Sequence, residues 1–219
     1  IRWGGLTLAR HAPSLPGAVH IAVVDPGVGG PRRPLAVALA DGGFTVGPDN
    51  GLLGPLIDVV GAPAAVELGP LPDASPRTFH GRDLFAPAAA RLSAGDDITD
   101  LGPELDVTGI ARPDLAPPEV APGLLIAEAA GRDHFGNVSL LASWADLARA
   151  DLQQDPLTIQ DPHGQPFRAT PGARFGDVAP RELVIYEDAN RVLSVAERGG
   201  DAWTRLGCEA GSRLTITTR

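Results

Sequence analysis

The sequence predicts an α/β domain followed by a smaller all-β, barrel-like domain. Three features carry that expectation. Strand-like apolar runs alternate with helically spaced ones through residue 112; residues 112–122 hold four prolines in eleven positions; and beyond them short β-rich runs follow one another between turn signals. Proline-rich connectors favour extended backbone and seldom continue an element. The expected boundaries are therefore 1–112 for the α/β domain, 113–122 for a linker and 123–219 for the β-barrel domain.

Residues 17–24, GAVHIAVV, read as a buried strand, because small and β-branched apolar residues crowd between turn formers. The strand runs into Asp25-Pro26-Gly27-Val28-Gly29-Gly30-Pro31-Arg32-Arg33, a loop whose glycines permit turns closed to other residues. A second strand is expected over 34–40, and Asp41-Gly42-Gly43 is a hairpin signal after which 44–46 pairs back. Gly47-Pro48-Asp49-Asn50-Gly51 turns the chain into an apolar helix ending at Val60, and 64–68 reads as another strand. Leu84, Phe85, Ala88, Ala89 and Leu92 recur at helical spacing, and Gly95 closes that helix. In the second domain strands are expected at 124–129, 138–141, 157–160, 167–170, 183–186, 191–195 and 214–217. One helix interrupts them, with Ser143 as N-cap and Asp146 three residues on as a variant capping box.

Composition excludes several classes of function. All 18 basic residues are arginine, so the chain has no P-loop lysine, Schiff-base lysine or pyridoxal-phosphate anchor. A net charge of -9 without a basic stripe argues against nucleic acid, while an acidic balance suits either solubility or a cationic small substrate. Cys208 stands alone, which precludes an intrachain disulfide and fits a reducing cytoplasm. No run approaches 18 apolar residues and no charged-then-apolar leader opens the chain, so neither a membrane span nor a secretory signal is expected. A first residue Ile1 and the absence of methionine fit a fragment or a processed chain.

The densest polar cluster of the first domain is Asp25, Arg32 and His80, with Asp25 immediately after a strand, where open α/β sheets place their ligand crevice. A carboxylate beside an imidazole and a guanidinium can hold a water and draw its proton. The alternative is that Asp25 caps its own loop, Arg32 is solvated and His80 enters a helix. Gly27, Gly29 and Gly30 lack both GxGxxG order and the Walker lysine, so turn geometry explains them without a phosphate. His11, His20, His80, His134 and His163 show no HxxxH or HExxH spacing, and no metal is expected. In the second domain Asp133 can meet an ammonium group, Asn137 a carboxylate or amide, and Phe135 can form an apolar wall; a plain turn accounts for the same residues. Asn190 also reads first as turn chemistry, and Phe79 and Trp3 are aromatics free to be either core or adenine contacts.

Taken together, VVDPGVGGPRR at 23–33, VGPDNGLL at 46–53, TFHGRDLFAPAAARLSAG at 78–95 and DHFGN at 133–137 resemble the S-adenosyl-L-methionine hydroxide adenosyltransferase family, relatives of the fluorinase and chlorinase. The resemblance spans nearly the whole chain. It implies an N-terminal α/β domain, a C-terminal β-barrel, and hydrolysis of S-adenosyl-L-methionine to adenosine and methionine without a cofactor. It further implies a homotrimer with substrate between the N-terminal domain of one subunit and the C-terminal domain of its neighbour. The family's Asp, Arg and His fall on Asp25, Arg32 and His80, whereas halide-using relatives replace the Asp and His. Its DxFGN motif falls on Asp133 and Asn137, which would hold the methionine part.

The family's SxGLLEIA-like stretch aligns with 189–196, where Ala189, Arg191 and Ser194 stand in place of its Ser, Gly and Glu. A contact from Asn190 and backbone contacts near Ser194 to Glu197 are expected there. A second Asn usual after FGN is Leu141. The family's opening strand and loop, with an Asp that grips the ribose hydroxyls, is expected to precede Ile1. Two other readings remain at this point: a halide adenosyltransferase, and a catalytically silent protein that binds S-adenosylmethionine or adenosine.

Overall fold

The computed structural model describes residues 1–69, 78–154 and 156–218. The chain divides into two units, Ile1–Pro113 and Asp114–Arg219, each with its own core.

The first unit is a mixed sheet between helices. In order it comprises α1 (Arg2–His11), β1 (Val19–Ile21), β2 (Pro34–Ala38), β3 (Phe44–Pro48), α2 (Gly54–Val60), β4 (Ala64–Glu67), α3 (Ala86–Ser93) and β5 (Glu104–Leu105). The strands lie in the order β1-β3-β2-β4-β5; β1 and β3 run parallel and the other neighbours antiparallel. Alternation along β2 divides the core. Ala36, with Val46 and Val66, packs against Phe85, Ala88, Ala89 and Leu92, while Leu35 and Val37 face Leu53 and Ile57 on the side of α2. Ala9 and Ala12 at the end of α1 pack on Leu56 and Leu39.

Two departures from expectation bear on the site. The run 17–24 is not a buried strand: only Val19–Ile21 is strand, and Ile21, Val23 and Val24 are 48%, 44% and 42% exposed. The reason is position, since β1 is the edge of the sheet and pairs with β3 alone. The helix α1 lies outside every expected element. Beyond β1 the extended chain stays against β3 through Ala22 N–H to Val46 O, 3.0 Å, and a Cβ on Gly47 would sit 2.4 Å from Ala22 O, so only glycine admits that approach.

The second unit is a closed barrel. Its strands are β6 (Glu119–Ala121), β7 (Leu124–Arg132), β8 (Val138–Leu140), β9 (Leu157–Gln160), β10 (Pro166–Pro171), β11 (Leu183–Glu187), β12 (Leu193–Glu197) and β13 (Arg213–Thr218), with short helices α4 (Trp144–Arg149) and α5 (Ala202–Arg205). Seven strands close in the order β7-β13-β9-β10-β11-β12-β8, because β13 pairs with both β9 and β7. Closure removes free edges. The inward alternation puts Leu183 and Ile185, Val195, and Leu214 and Ile216 in one core with Leu147 from α4. The Ser143–Asp146 capping box forms as expected, each side chain accepting the other residue's backbone N–H. Glu119–Ala121, within the segment expected as linker, is strand β6 and pairs with β7.

Candidate active site

The 25–33 loop folds back on itself through two overlapping turns, Val28 N–H to Asp25 O at 3.2 Å and Gly30 N–H to Gly27 O at 3.0 Å, which return Arg32 to Asp25. Asn50 holds the start of the loop by donating its side-chain amide to Val24 O at 3.0 Å. The two adjacent arginines then separate. Arg33 pairs with Asp49 and donates to Gly109 O at 2.8 Å, leaving Arg32 for the loop's interior.

Arg32 Nε donates to both carboxylate oxygens of Asp25, each at 3.0 Å, and Nη2 donates to Oδ2. The same Nη2 lies 2.7 Å from His80 Nδ1. The side chains of Asp25 and Arg32 are only 5% and 9% exposed. Three residues from two segments 48 positions apart thus form one hydrogen-bonded cluster, and Arg32 is not a solvated surface group. Arginine has no acceptor, so Nδ1 must accept, which leaves the His80 hydrogen on Nε2 and the ring neutral. Burial and the positive charge of Arg32 both hold His80 below its ordinary value of 6.5, against the opposing pull of Asp25 and Asp83. Arg32 Nη1 is buried with no hydrogen-bond partner among the described residues, a donor left over by the protein itself.

His80 enters a π-helical turn, Gly81–Phe85, that leads into α3. Phe85 at its end is fully buried, with the Arg32 guanidinium carbon 5.5 Å from its ring centre. Phe79, on the other side of His80, is 55% exposed, and the Arg82 guanidinium stacks 4.9 Å from its centre while pairing with Asp83.

In the second unit the DHFGN turn is organised by its own Asp133. Oδ1 accepts from Phe135 N–H and Asn137 N–H, both at 2.9 Å, and Oδ2 from Asn137 Nδ2 at 2.7 Å. Gly136 takes φ +82°, and a Cβ there would fall 2.4 Å from the Asp201 carboxyl. Asn137 is buried, whereas Phe135 is 74% exposed. Asp188 makes a similar turn, accepting from Asn190 N–H at 2.8 Å and Val192 N–H at 3.2 Å, and its Oδ2 takes the Ser194 hydroxyl at 3.1 Å. The Glu197 carboxylate is engaged within the barrel. It pairs with Arg181 at 3.1 Å and Arg205 at 3.0 Å and accepts Asp201 N–H at 3.1 Å.

Tyr186 and Asp188 belong to this region and were not among the residues the sequence marks. Burial, then the Asp133 and Asp188 carboxylates, push the Tyr186 phenol up to about 12, so it remains a hydrogen-bond donor at any physiological pH. The Asp-x-Asn turn signal at 188–190 was the available clue. A cavity of about 420 Å³ lies elsewhere in the second unit, lined by Trp144, Gln153, Pro171, Gly172, Ala173 and Glu187, none of them an expected site residue. Among the described residues no His, Cys, Asp or Glu trio is placed to hold a metal, and no helix is long and apolar enough to cross a membrane.

Two family models match this chain. The model of the SAM hydroxide adenosyltransferase N-terminal domain matches residues 1–102, and that of the C-terminal domain matches 128–215. The chain belongs to the SAM hydroxide adenosyltransferase family. Among its relatives, the (R)-S-adenosyl-L-methionine hydrolase of Salinispora tropica is 44% identical over 99% of this chain and 81% of its own length. The protein of the same name from Thermus thermophilus is 38% identical over 99% of this chain and 82% of its own. A crystal structure described as an uncharacterized conserved protein from Thermotoga maritima superposes with a TM-score of 0.87 at 29% identity, covering all of this chain and 84% of that one. Within the family's two matched regions, Asp25, Arg32 and His80 fall in the first, and Asp133, Asn137, Asp188 and Ser194 in the second.

Proposed function

We propose that Asp25, Arg32 and His80 are the hydrolytic centre of this chain, which splits S-adenosyl-L-methionine into adenosine and methionine. The observation that supports it most is the buried contact of Arg32 with both Asp25 and His80, which leaves a carboxylate, an Nε2–H and the two N–H groups of the unpartnered Arg32 Nη1 to orient a single water. A water lone pair forms the bond to ribose C5′ while the C5′–S bond breaks, and its electron pair neutralises the sulfonium as the thioether of methionine. The oxygen that has bonded to carbon is then strongly acidic. Asp25 takes that proton and passes it to solvent. No cofactor is needed in this scheme, because the sulfonium supplies its own leaving group.

Asp133, Asn137 and Ser194 would hold the methionine end, where the Asp133 and Asp188 carboxylates favour an ammonium group. Phe135, Phe79 and Asn190 would supply apolar and turn contacts, and the backbone near Glu197 would contribute while its carboxylate stays paired within the barrel. The relatives' names specify the (R) sulfonium epimer, and that epimer is the proposed substrate. Resemblance to the family supports a cytoplasmic homotrimer with the site at the subunit interface. The test is incubation of each sulfonium epimer with the protein in ¹⁸O-water containing chloride, followed by chromatography and mass spectrometry. Adenosine carrying ¹⁸O at its 5′-hydroxyl is expected. Unlabelled adenosine, 5′-chloro-5′-deoxyadenosine, or binding without any product would contradict the proposal.

A further inference from the structure

We infer that Phe85 is a positioning residue, a core aromatic whose ring holds the Arg32 guanidinium against His80 Nδ1. The inference rests on the reading of Asp25, Arg32 and His80 as the hydrolytic centre and adds a fourth residue that touches neither water nor substrate. One ring contacts two members of the cluster. The Arg32 guanidinium carbon lies 5.5 Å from the Phe85 centroid, within cation–π range, and the His80 ring meets Phe85 edge-on at 6.4 Å with planes at 76°.

Phe85 is itself immobilised, fully buried among Ala36, Val46, Ala88, Ala89 and Leu92. Arg32 Nε and Nη2 tie the guanidinium to Asp25, and Nη2 also meets His80; the Phe85 ring adds a contact to the guanidinium from outside that hydrogen-bonded set.

The local backbone explains how residues 80 and 85 reach the same group. In an α-helix, residues five apart point about 140° away from each other. Here Gly81–Phe85 is a π turn, closed by Ala86 N–H to Gly81 O, and its wider winding brings His80 and Phe85 back toward one side. A turn of this kind is a recurrent device at functional sites. The charged groups around His80 are Arg32 and Asp25 from the 25–33 loop and Asp83, paired with Arg82, from its own turn.

The test uses Phe85→Leu, which keeps an apolar side chain and removes the ring, beside Leu92→Val, which thins the same core without touching Arg32 or His80. Phe85→Met serves if Phe85→Leu does not fold. For the Phe85 variant, kcat is expected to fall about tenfold with KM for S-adenosylmethionine within twofold. The His80 ring, followed by NMR without substrate, is expected to titrate at higher pH as Arg32 leaves Nδ1. Leu92→Val should leave both readings at wild type. Unchanged kcat and His80 titration in the Phe85 variant, or the same changes in Leu92→Val, would overturn the inference. Because the NMR reading needs no turnover, its failure is separate from failure of the hydrolytic assignment, which shows instead as activity surviving loss of Asp25.

Discussion

Arg32 Nη2 stands 2.7 Å from His80 Nδ1 while its own Nε spans both oxygens of Asp25. One guanidinium therefore holds the carboxylate and sets the tautomer of the imidazole together, since a group with only hydrogens to offer compels its neighbour to present a lone pair. The consequences for catalysis follow from that shared donor.

Protonation of His80 at Nδ1 would set two donors against each other, and burial with the Arg32 charge already favours the neutral ring. Hydrolysis is expected to be level near neutral pH and to fall on the acid side, with an inflection below 6.5. A profile of kcat/KM against pH checks this; an inflection above the ordinary histidine value is inconsistent with the geometry.

Arg32→Lys keeps the charge but cannot span Asp25 and reach His80 at once. Its kcat should drop by about 10²-fold while the fold persists, read as initial rates of adenosine release beside a circular dichroism spectrum. Near wild-type rates would remove the bridging role.

Asp133→Asn retains an acceptor for the two backbone N–H groups but turns an amide donor toward Asn137 Nδ2. With one negative charge lost as well, KM is expected to rise about tenfold and kcat to change little. Michaelis kinetics distinguish this from a structural defect, which would lower the amount of active protein and so kcat.

The approach of the site-bearing segment to β3 depends on Gly47. In Gly47→Ala the new methyl meets Ala22 O at 2.4 Å, and stability should fall by about 2 kcal/mol. Thermal or urea unfolding measures it, and an unshifted transition would mean that the backbone here relaxes without cost.

Features set by neighbouring residues were legible in the sequence. The Ser143–Asp146 capping box, the bounds of β9 and the Asp41-Gly42-Gly43 hairpin follow from side chains within three or four positions of one another. Closure of the barrel by β13 on β7 joins residues some 90 positions apart, and no local pattern encodes it. The exposure of Val23 and Val24 was hidden for a related reason: an apolar run looks the same at the edge of a sheet as at its centre. Two glycines in ten residues disguised α1. At the site, loop chemistry marked Asp25, Arg32 and His80 as a polar cluster and left a plain capping and helix-entry reading open, and the family resemblance joined them as a set. The π turn, the contact of Phe85 with Arg32 and the use of Glu197 by two arginines are tertiary facts.

The central claim is that Asp25 orients the attacking water and accepts its proton. Asp25→Asn, equal in size, tests it most directly through adenosine release measured beside calorimetric binding of S-adenosylmethionine. Turnover about 10³-fold below wild type with affinity within a few-fold is the predicted result; turnover within a few-fold of wild type would contradict the account.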